Sequence, residues 1–175
     1  NPSQSWVTGR GWNQVQWDNK LFPTAKSLDI AFPNIPVYLE RVDGHAGWAN
    51  SKAMELAGIT KDSPSPKGGD IIRDSDGMPT GVFIDNAMAL ITKNIAPLTI
   101  KQQKVILLKA MNSLASLGLT SVHDAGIFKD NLQAFKELSD EKKMPIRINA
   151  MLYLPSIGWQ ETLAKGTFHS ADDML

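Results

Sequence analysis

Between Gly118 and Leu154 the chain reads strand, helix, strand with short connections, and this order constrains the fold more than any other feature of the sequence. Residues 119–122, Leu-Thr-Ser-Val after the Gly118 stop, read as a buried strand. Asp130 and Gln133 have capping-box spacing and open a helix carrying Leu132, Phe135 and Leu138. Pro145 closes that helix. Ile146, Ile148, Ala150, Leu152 and Leu154 then alternate over residues 146–154, the period-two signature of a second strand. Strands joined through a helix run parallel, which makes this a βαβ unit. An open doubly wound sheet and a (β/α)8 barrel are both possible hosts, and both need more than about three strands to cover their edges. The grammar therefore predicts an α/β segment of a larger protein.

A helix precedes this unit. Thr99 with Gln102 forms a capping box, Val105, Leu108, Met111, Leu114 and Ala115 mark one apolar face, and Gly118 stops it. Toward the N-terminus the pattern is less regular. Trp6, Trp12 and Trp17 are scattered among Gly, Asn and Pro, which predicts loop and short elements over residues 1–36, with a turn of helix within 21–32. Pro33 and Pro36 bracket the start of a strand over 37–42. Asn50 or Ser51 can cap a helix over 52–57, with Gly58 in the left-handed position that ends it. Residues 61–67 are Ser/Pro-rich surface loop. Ile71-Ile72, then Arg73-Asp74-Ser75-Asp76-Gly77, then Val82-Phe83-Ile84 predict a hairpin around an Asp-Gly turn.

Composition excludes several classes of function. Lys plus Arg and Asp plus Glu each total 18, so the net charge is zero and no electrostatic footprint for nucleic acid or an anionic membrane is present. No apolar run approaches the ~20 residues of a membrane span. The absence of cysteine removes disulfides, thiolate nucleophiles and Cys-based metal sites. The start at Asn1-Pro2-Ser3-Gln4 has neither an initiator Met nor a signal-peptide pattern, so the chain is expected to begin partway through a gene product and to belong in the cytoplasm. The three histidines, His45, His123 and His169, show no H-x-H or H-x-x-x-H spacing, and no metal is expected in this chain. Asp74, Asp76 and Gly77 lack the later ligands of a calcium loop.

The densest polar cluster is Glu40-Arg41-Val42-Asp43-Gly44-His45, followed by Trp48, Asn50 and Ser51. It lies where a predicted strand ends, the place where α/β folds present ligand-binding groups. Two readings stand side by side. In one, Arg41, Asp43 and His45 face a substrate; in the other, Asp43 and Gly44 make a turn and His45 caps a backbone group. His123-Asp124-Ala125-Gly126 follows the predicted strand over 119–122. Asp124 there reads either as a metal-supporting carboxylate, general base or ligand anchor, or as an Asx-turn.

A longer series of residues carries a family resemblance. Gly9-Arg10-Gly11-Trp12-Asn13, Pro23-Thr24 with Leu28-Asp29, and Pro36-Val37-Tyr38-Leu39-Glu40-Arg41-Val42-Asp43-Gly44-His45 occur in order. Trp48-Ala49-Asn50-Ser51, Ala57-Gly58-Ile59, Gly68-Gly69 with Ile72-Arg73-Asp74, and Gly77-Met78-Pro79-Thr80-Gly81-Val82 continue the series. Gly118-Leu119-Thr120-Ser121-Val122-His123-Asp124-Ala125 completes it. Together they resemble amidohydrolase family 3, the branch containing N-substituted formamide deformylase, some members of which are labelled exoenzyme regulatory proteins.

The resemblance implies a metal-dependent hydrolase on a (β/α)8 barrel that cleaves C–N bonds of small amide-type substrates through water activated by a divalent metal, zinc by expectation. It implies metal ligands on an H-x-H, a later lysine, two further histidines and a late aspartate. All of these are expected outside this chain, which would then be an internal fragment, inactive when isolated. Residues 1–98 would form an inserted hairpin and helix region at the pocket rim, and residues 99–175 a βαβ segment of a partial TIM-like (β/α)8 barrel. Arg41, Asp43, His45, Trp48 and Asp124 would line the substrate pocket. The competing readings are a non-catalytic regulatory or binding protein on the same fold, and a self-standing small domain that covers its open strands as a homo-oligomer.

Overall fold

A computed structural model describes residues 6–154 and 158–175, which form a mixed α/β structure. Two compact units divide the chain, residues 1–96 and 97–175.

The first unit is built on a five-stranded sheet ordered β1-β2-β3-β5-β4. Its elements are β1 (Val7–Trp12), α1 (Ala25–Ala31), β2 (Val37–Arg41), β3 (Ala46–Ala49), α2 (Ser51–Leu56), β4 (Gly69–Arg73), β5 (Pro79–Asp85) and α3 (Met88–Thr92). β1 and β2 run parallel, and the remaining pairs are antiparallel. The predicted hairpin is present as β4 and β5. Its turn closes through two backbone amides, those of Asp76 and Met78, donating to Asp74 Oδ1, and Gly77 sits at φ 78°.

Three elements depart from the sequence reading. Residues 7–12 form a strand within the stretch expected as loop and short elements, where no strand is expected; residues 1–5 of that stretch lie outside the described residues. Residues 46–49 form a strand although Ala-Gly-Trp-Ala has little β propensity, because Ala46 and Ala49 are fully buried between β2 and β5. Residues 88–92 form a short helix that completes one core. That core gathers Tyr38, Ala49, Ala53, Ile71, Phe83, Ala87 and Ile91 on one face of the sheet.

Asn50 anchors the unit. Fully buried, it caps α2 by accepting from Ala53 N–H at 2.9 Å, and the same Oδ1 accepts from Val37 N–H at 2.9 Å. Its Nδ2 donates to the Phe32 and Ile35 carbonyls at 3.0 and 2.9 Å. Ser51 then donates its backbone and hydroxyl protons to Asp29 of α1 at 2.8 and 2.6 Å. Past the other end of α2, Gly58 and Ile59 N–H groups return to Glu55 and Met54 carbonyls, the Schellman closure expected of Gly58.

The second unit contains α4 (Ile100–Ser116), β6 (Ser121–Ile127), α5 (Lys129–Asp140), β7 (Arg147–Leu152) and α6 (Trp159–Ala164). β6 and β7 pair in parallel around α5, as the βαβ reading requires. The Thr99–Gln102 capping box and the Gly118 stop are both formed. The expected helix face keeps Leu108, Met111, Leu114 and Ala115 and loses Val105. Val105 is 65% exposed, while Leu107, Leu108, Met111, Leu114 and Ala115 pack toward Ile127, Phe135, Leu138, Ile146 and Ile148. The second capping box is displaced. α5 begins at Lys129, Asn131 Oδ1 accepts from Phe128 N–H at 2.9 Å, and Asp130 lies inside the first turn, where its charge favours the helix N-terminus. Gln133 instead donates to Glu137 one turn on. The expected start of the last helix, Ile157, lies outside the described residues.

Replacing Asn50 by Ala leaves two buried N–H groups and two carbonyls without their partner, each costing on the order of 1–3 kcal/mol. Asn50→Ala is expected to lower unfolding free energy by ~3 kcal/mol or more. Asn50→Asp is expected to be at least as damaging, because its second oxygen would face the Phe32 and Ile35 carbonyls. Equilibrium urea unfolding measures both.

Candidate functional site

The polar cluster at residues 40–45 is a tight connection between antiparallel β2 and β3. Gly44 N–H donates to Arg41 carbonyl at 2.9 Å, and Gly44 adopts φ 80°. Asp43 occupies the centre of the turn. Its carboxylate takes a two-pronged contact from Arg41, Nε to Oδ1 and Nη2 to Oδ2, both at 2.8 Å. Oδ1 also accepts from His45 N–H at 3.1 Å. The Arg41 hydrogen bond first, and the His45 amide second, hold Asp43 down at about 2 from an ordinary 3.8. Asp43 and Gly44 thus make a turn in which Arg41 holds the carboxylate, while the His45 ring meets Asp85 rather than capping a backbone group.

Strand alternation separates the expected site residues onto two faces. Arg41 shares a face with Leu39, and Trp48 lies opposite Leu39 on β3. β1 brings Trp12 to the same face through a bulge. Gly11 takes φ 115°, the register shifts between Arg10 and Trp12, and Trp12 comes to lie beside Arg41. Trp12, Trp17 and Trp48 then form a cluster with ring centroids 6.1–6.3 Å apart. The Arg41 guanidinium lies 5.9 Å from the Trp12 ring and 5.8 Å from the Phe22 ring. The Trp12 and Trp48 indole N–H groups are tied to the Leu39 and Thr24 carbonyls at 2.9 and 3.0 Å. That of Trp17 has no hydrogen-bond partner among the described residues. Of this group the sequence names Arg41 and Trp48 as site residues. The signal for Trp12 was the glycine before it, and nothing local marked Trp17 or Phe22.

His45 and Glu40 belong to the opposite face. The His45 Nδ1 lies 2.7 Å from Asp85 Oδ1 at the end of β5, with the imidazole largely exposed. Glu40 meets Arg10 across the β1–β2 pair, Nε to Oε1 at 3.7 Å. Beneath them, Gly47 leaves room for the ring of Tyr38; a Cβ at Gly47 would fall 2.2 Å from the Tyr38 hydroxyl. Burial, reinforced by Glu40, pushes that hydroxyl above its ordinary range. Asp85 adopts φ 45°, a left-handed conformation costing an L-residue roughly 1 kcal/mol. The sequence reading did not include Asp85.

Asp124 belongs to the second unit. It lies within β6, opposite Ala150, where the sequence reading placed it after the strand's end. The strand continues because residues 121–124 keep pairing with 147–150 before the register shifts near Ile127. The same unit holds a cavity of about 780 Å³ lined by β7, α6 and residues 165–169. Lys136 lies 4.0 Å from the Phe168 ring at its wall, and no expected site residue lines it. Among the described residues, no group of three or more His, Asp or Glu is placed to hold a metal ion. No helix among them is long and apolar enough to cross a membrane.

Comparison with known proteins decides the family. The family model described as "Amidohydrolase family" matches residues 1–175. The chain belongs to the amidohydrolase family. It is 32% identical over 169 residues to the putative amidohydrolase YtcJ of Bacillus subtilis (strain 168), covering 94% of this chain and 32% of that protein. It is 31% identical over 154 residues to N-substituted formamide deformylase of Arthrobacter pascens, covering 86% of this chain and 28% of that enzyme. The crystal structure of an uncharacterized metal-dependent hydrolase from Pyrococcus horikoshii OT3 superimposes with a TM-score of 0.64 at 26% identity, over 94% of this chain and 31% of that one. This amidohydrolase chain thus spans about a third of the length of the curated relatives it matches.

The Arg41–Asp43 clamp has a defined pH dependence. Because Asp43 titrates lower in the folded state than in the unfolded one, its contribution to stability is full above about pH 4 and is lost as the pH falls toward 2. The stability difference between the native sequence and Asp43→Asn is expected to follow that course in thermal unfolding measured at successive pH values. Chemical-shift titration of the Asp43 carboxyl checks the assignment.

Proposed function

We propose that this chain is a pocket-wall segment of a metal-dependent amidohydrolase acting on C–N bonds of small amide-type substrates. The family match over the whole chain carries this reading. The deformylase relative, an enzyme of C–N cleavage by its name, supports the bond type. Residues 1–98 are read as the pocket rim and residues 99–175 as a βαβ segment of a partial (β/α)8 barrel. The parallel β6–β7 pair around α5 supports the second assignment.

The described residues do not fit a metal centre, so the roles derived for them are binding and orientation. A divalent metal, zinc on this reading, would activate water when held by ligands supplied elsewhere in the protein. Here the Trp12–Trp17–Trp48 cluster forms an apolar wall, rigidified by two indole hydrogen bonds and by Arg41 clamped on Asp43. The Trp17 indole N–H, which has no hydrogen-bond partner among the described residues, is offered to a ligand. On the other face of the sheet, His45 offers an exposed imidazole, and in the second unit Asp124 offers a carboxylate.

The test is hydrolysis of a panel of amides by the full-length gene product, followed by chelation and return of zinc. Activity lost on chelation and restored by zinc is expected, with the 175-residue chain alone inactive. A full-length protein that binds these amides without hydrolysing any of them would overturn the enzymatic reading in favour of a binding or regulatory protein on this fold. Trp17→Ala is expected to raise KM about tenfold with kcat little changed, the signature of binding lost equally from ground and transition states.

A further inference from the structure

The environment of Asp85 is built around a conformation that few residues adopt. β5 ends at Asp85 with φ 45°, and the chain turns at once into Asn86 and Ala87. That turn fits only because its neighbour on β4 is glycine. A Cβ on Gly69 would fall 2.3 Å from Ala87 N, 2.7 Å from Ile84 O and 2.8 Å from Asn86 N, all backbone atoms that cannot move aside. Gly69 lies opposite Asp85 in the β4–β5 register, Asn86 N–H donates to Gly68 carbonyl, and the Asn86 side chain donates to Lys67 carbonyl at 2.8 Å. On the other side, Asp85 N–H donates to His45 carbonyl at 3.1 Å. The Gly68-Gly69 pair and the ends of β3 and β5 thus hold one strained aspartate in place, and its carboxylate meets His45 Nδ1 at 2.7 Å. Strain held this firmly at a site rim points to function.

We propose that Asp85 is a positioning residue. It keeps His45 in the Nδ1–H tautomer and so presents the Nε2 lone pair as a hydrogen-bond acceptor for a substrate N–H. A carboxylate on one imidazole nitrogen fixes both the orientation of the ring and the tautomer, leaving the other nitrogen an acceptor. His45 Nε2 has no hydrogen-bond partner among the described residues, and the imidazole is 70% exposed. The substrate class that follows is the N–H-bearing amide, primary or N-monosubstituted. An N,N-disubstituted amide offers nothing to that lone pair. The substrate contact rests on the amidohydrolase reading above; the tautomer does not.

The experiment uses the full-length protein with 15N-labelled histidine at about pH 8, where a free imidazole is neutral. His45 is expected to show a protonated Nδ1 and an unprotonated Nε2. Asp85→Asn tolerates the same left-handed backbone, and Asp85→Gly relieves it, so both are expected to fold, with the melting temperature of the glycine variant unchanged or raised. In both variants the His45 signals are expected to move to mixed tautomers. The ratio of kcat/KM for an N-monosubstituted amide over its N-methylated counterpart is expected to be tenfold or more in the native sequence and to fall toward unity in both variants and in His45→Phe. A structural role for Asp85 would leave that ratio unmoved. Mixed tautomers in the native protein, or an unchanged ratio in both Asp85 variants, would overturn the proposal. Failure of the native protein to hydrolyse either amide would overturn the amidohydrolase reading and the substrate contact with it, and the tautomer measurement would still decide the role of Asp85.

Discussion

The first unit depends on one buried amide. Asn50 satisfies two N–H groups and two carbonyls that would otherwise be stranded among apolar side chains, and these four belong to three different pieces of chain. Val37 begins β2, Ala53 lies in the first turn of α2, and Phe32 and Ile35 belong to the connection out of α1. A group with both donor and acceptor ends is the one side chain of this size that can close all four bonds at once. Ser51 extends the tie to α1 through Asp29. With the start of β2 held by Asn50 and β3 held by its neighbours, the turn between them is confined, and with it the placement of Arg41, Asp43 and His45.

That confinement gives the sheet two chemically distinct faces at one end. Toward α1, three indoles and the Arg41–Asp43 clamp make a stiff aromatic surface, and it exists because a glycine bulge in β1 turns Trp12 to that side. Toward the α2 and α3 side, Arg10, Glu40, His45 and Asp85 make a polar rim above the buried Tyr38 ring. Neighbouring residues in sequence, such as Arg41 and Asp43 on one hand and His45 on the other, are therefore divided between two jobs. A linear motif conceals this division, since it records proximity along the chain and not the side to which each residue points.

Most helix ends were legible. Thr99 with Gln102, Asn50, Gly58 and Gly118 act within a few residues of themselves through local hydrogen bonds or a left-handed backbone, so the chemistry that forms them is written in the same short stretch. The same holds for the hairpin around Asp74 and Gly77. The strands β1 and β3 were not legible, because each exists through partners distant in sequence: Val7–Trp12 through β2, and Ala46–Ala49 through β2 and β5. Val105 was misassigned for a related reason. An apolar residue next to a helical stripe cannot declare, from periodicity alone, which side a neighbouring helix will cover. The displaced cap of α5 turned on Phe128 and Asn131 taking the places expected of Asp130 and Gln133, a shift of two residues that only geometry resolves.

Taken alone, the sequence determined the family, the βαβ order of the second half, the absence of cysteine chemistry and the polar cluster worth examining, because motif order, periodicity and composition are properties of the chain itself. Tertiary structure decided what that cluster is. It spent Asp43 on Arg41, gave Trp48 two indole partners, and brought Asp85 across 40 residues to His45. Those pairings follow from strand register and from the Gly69 contact that lets the β5 turn close, and register is set by a whole sheet rather than by any one segment of it.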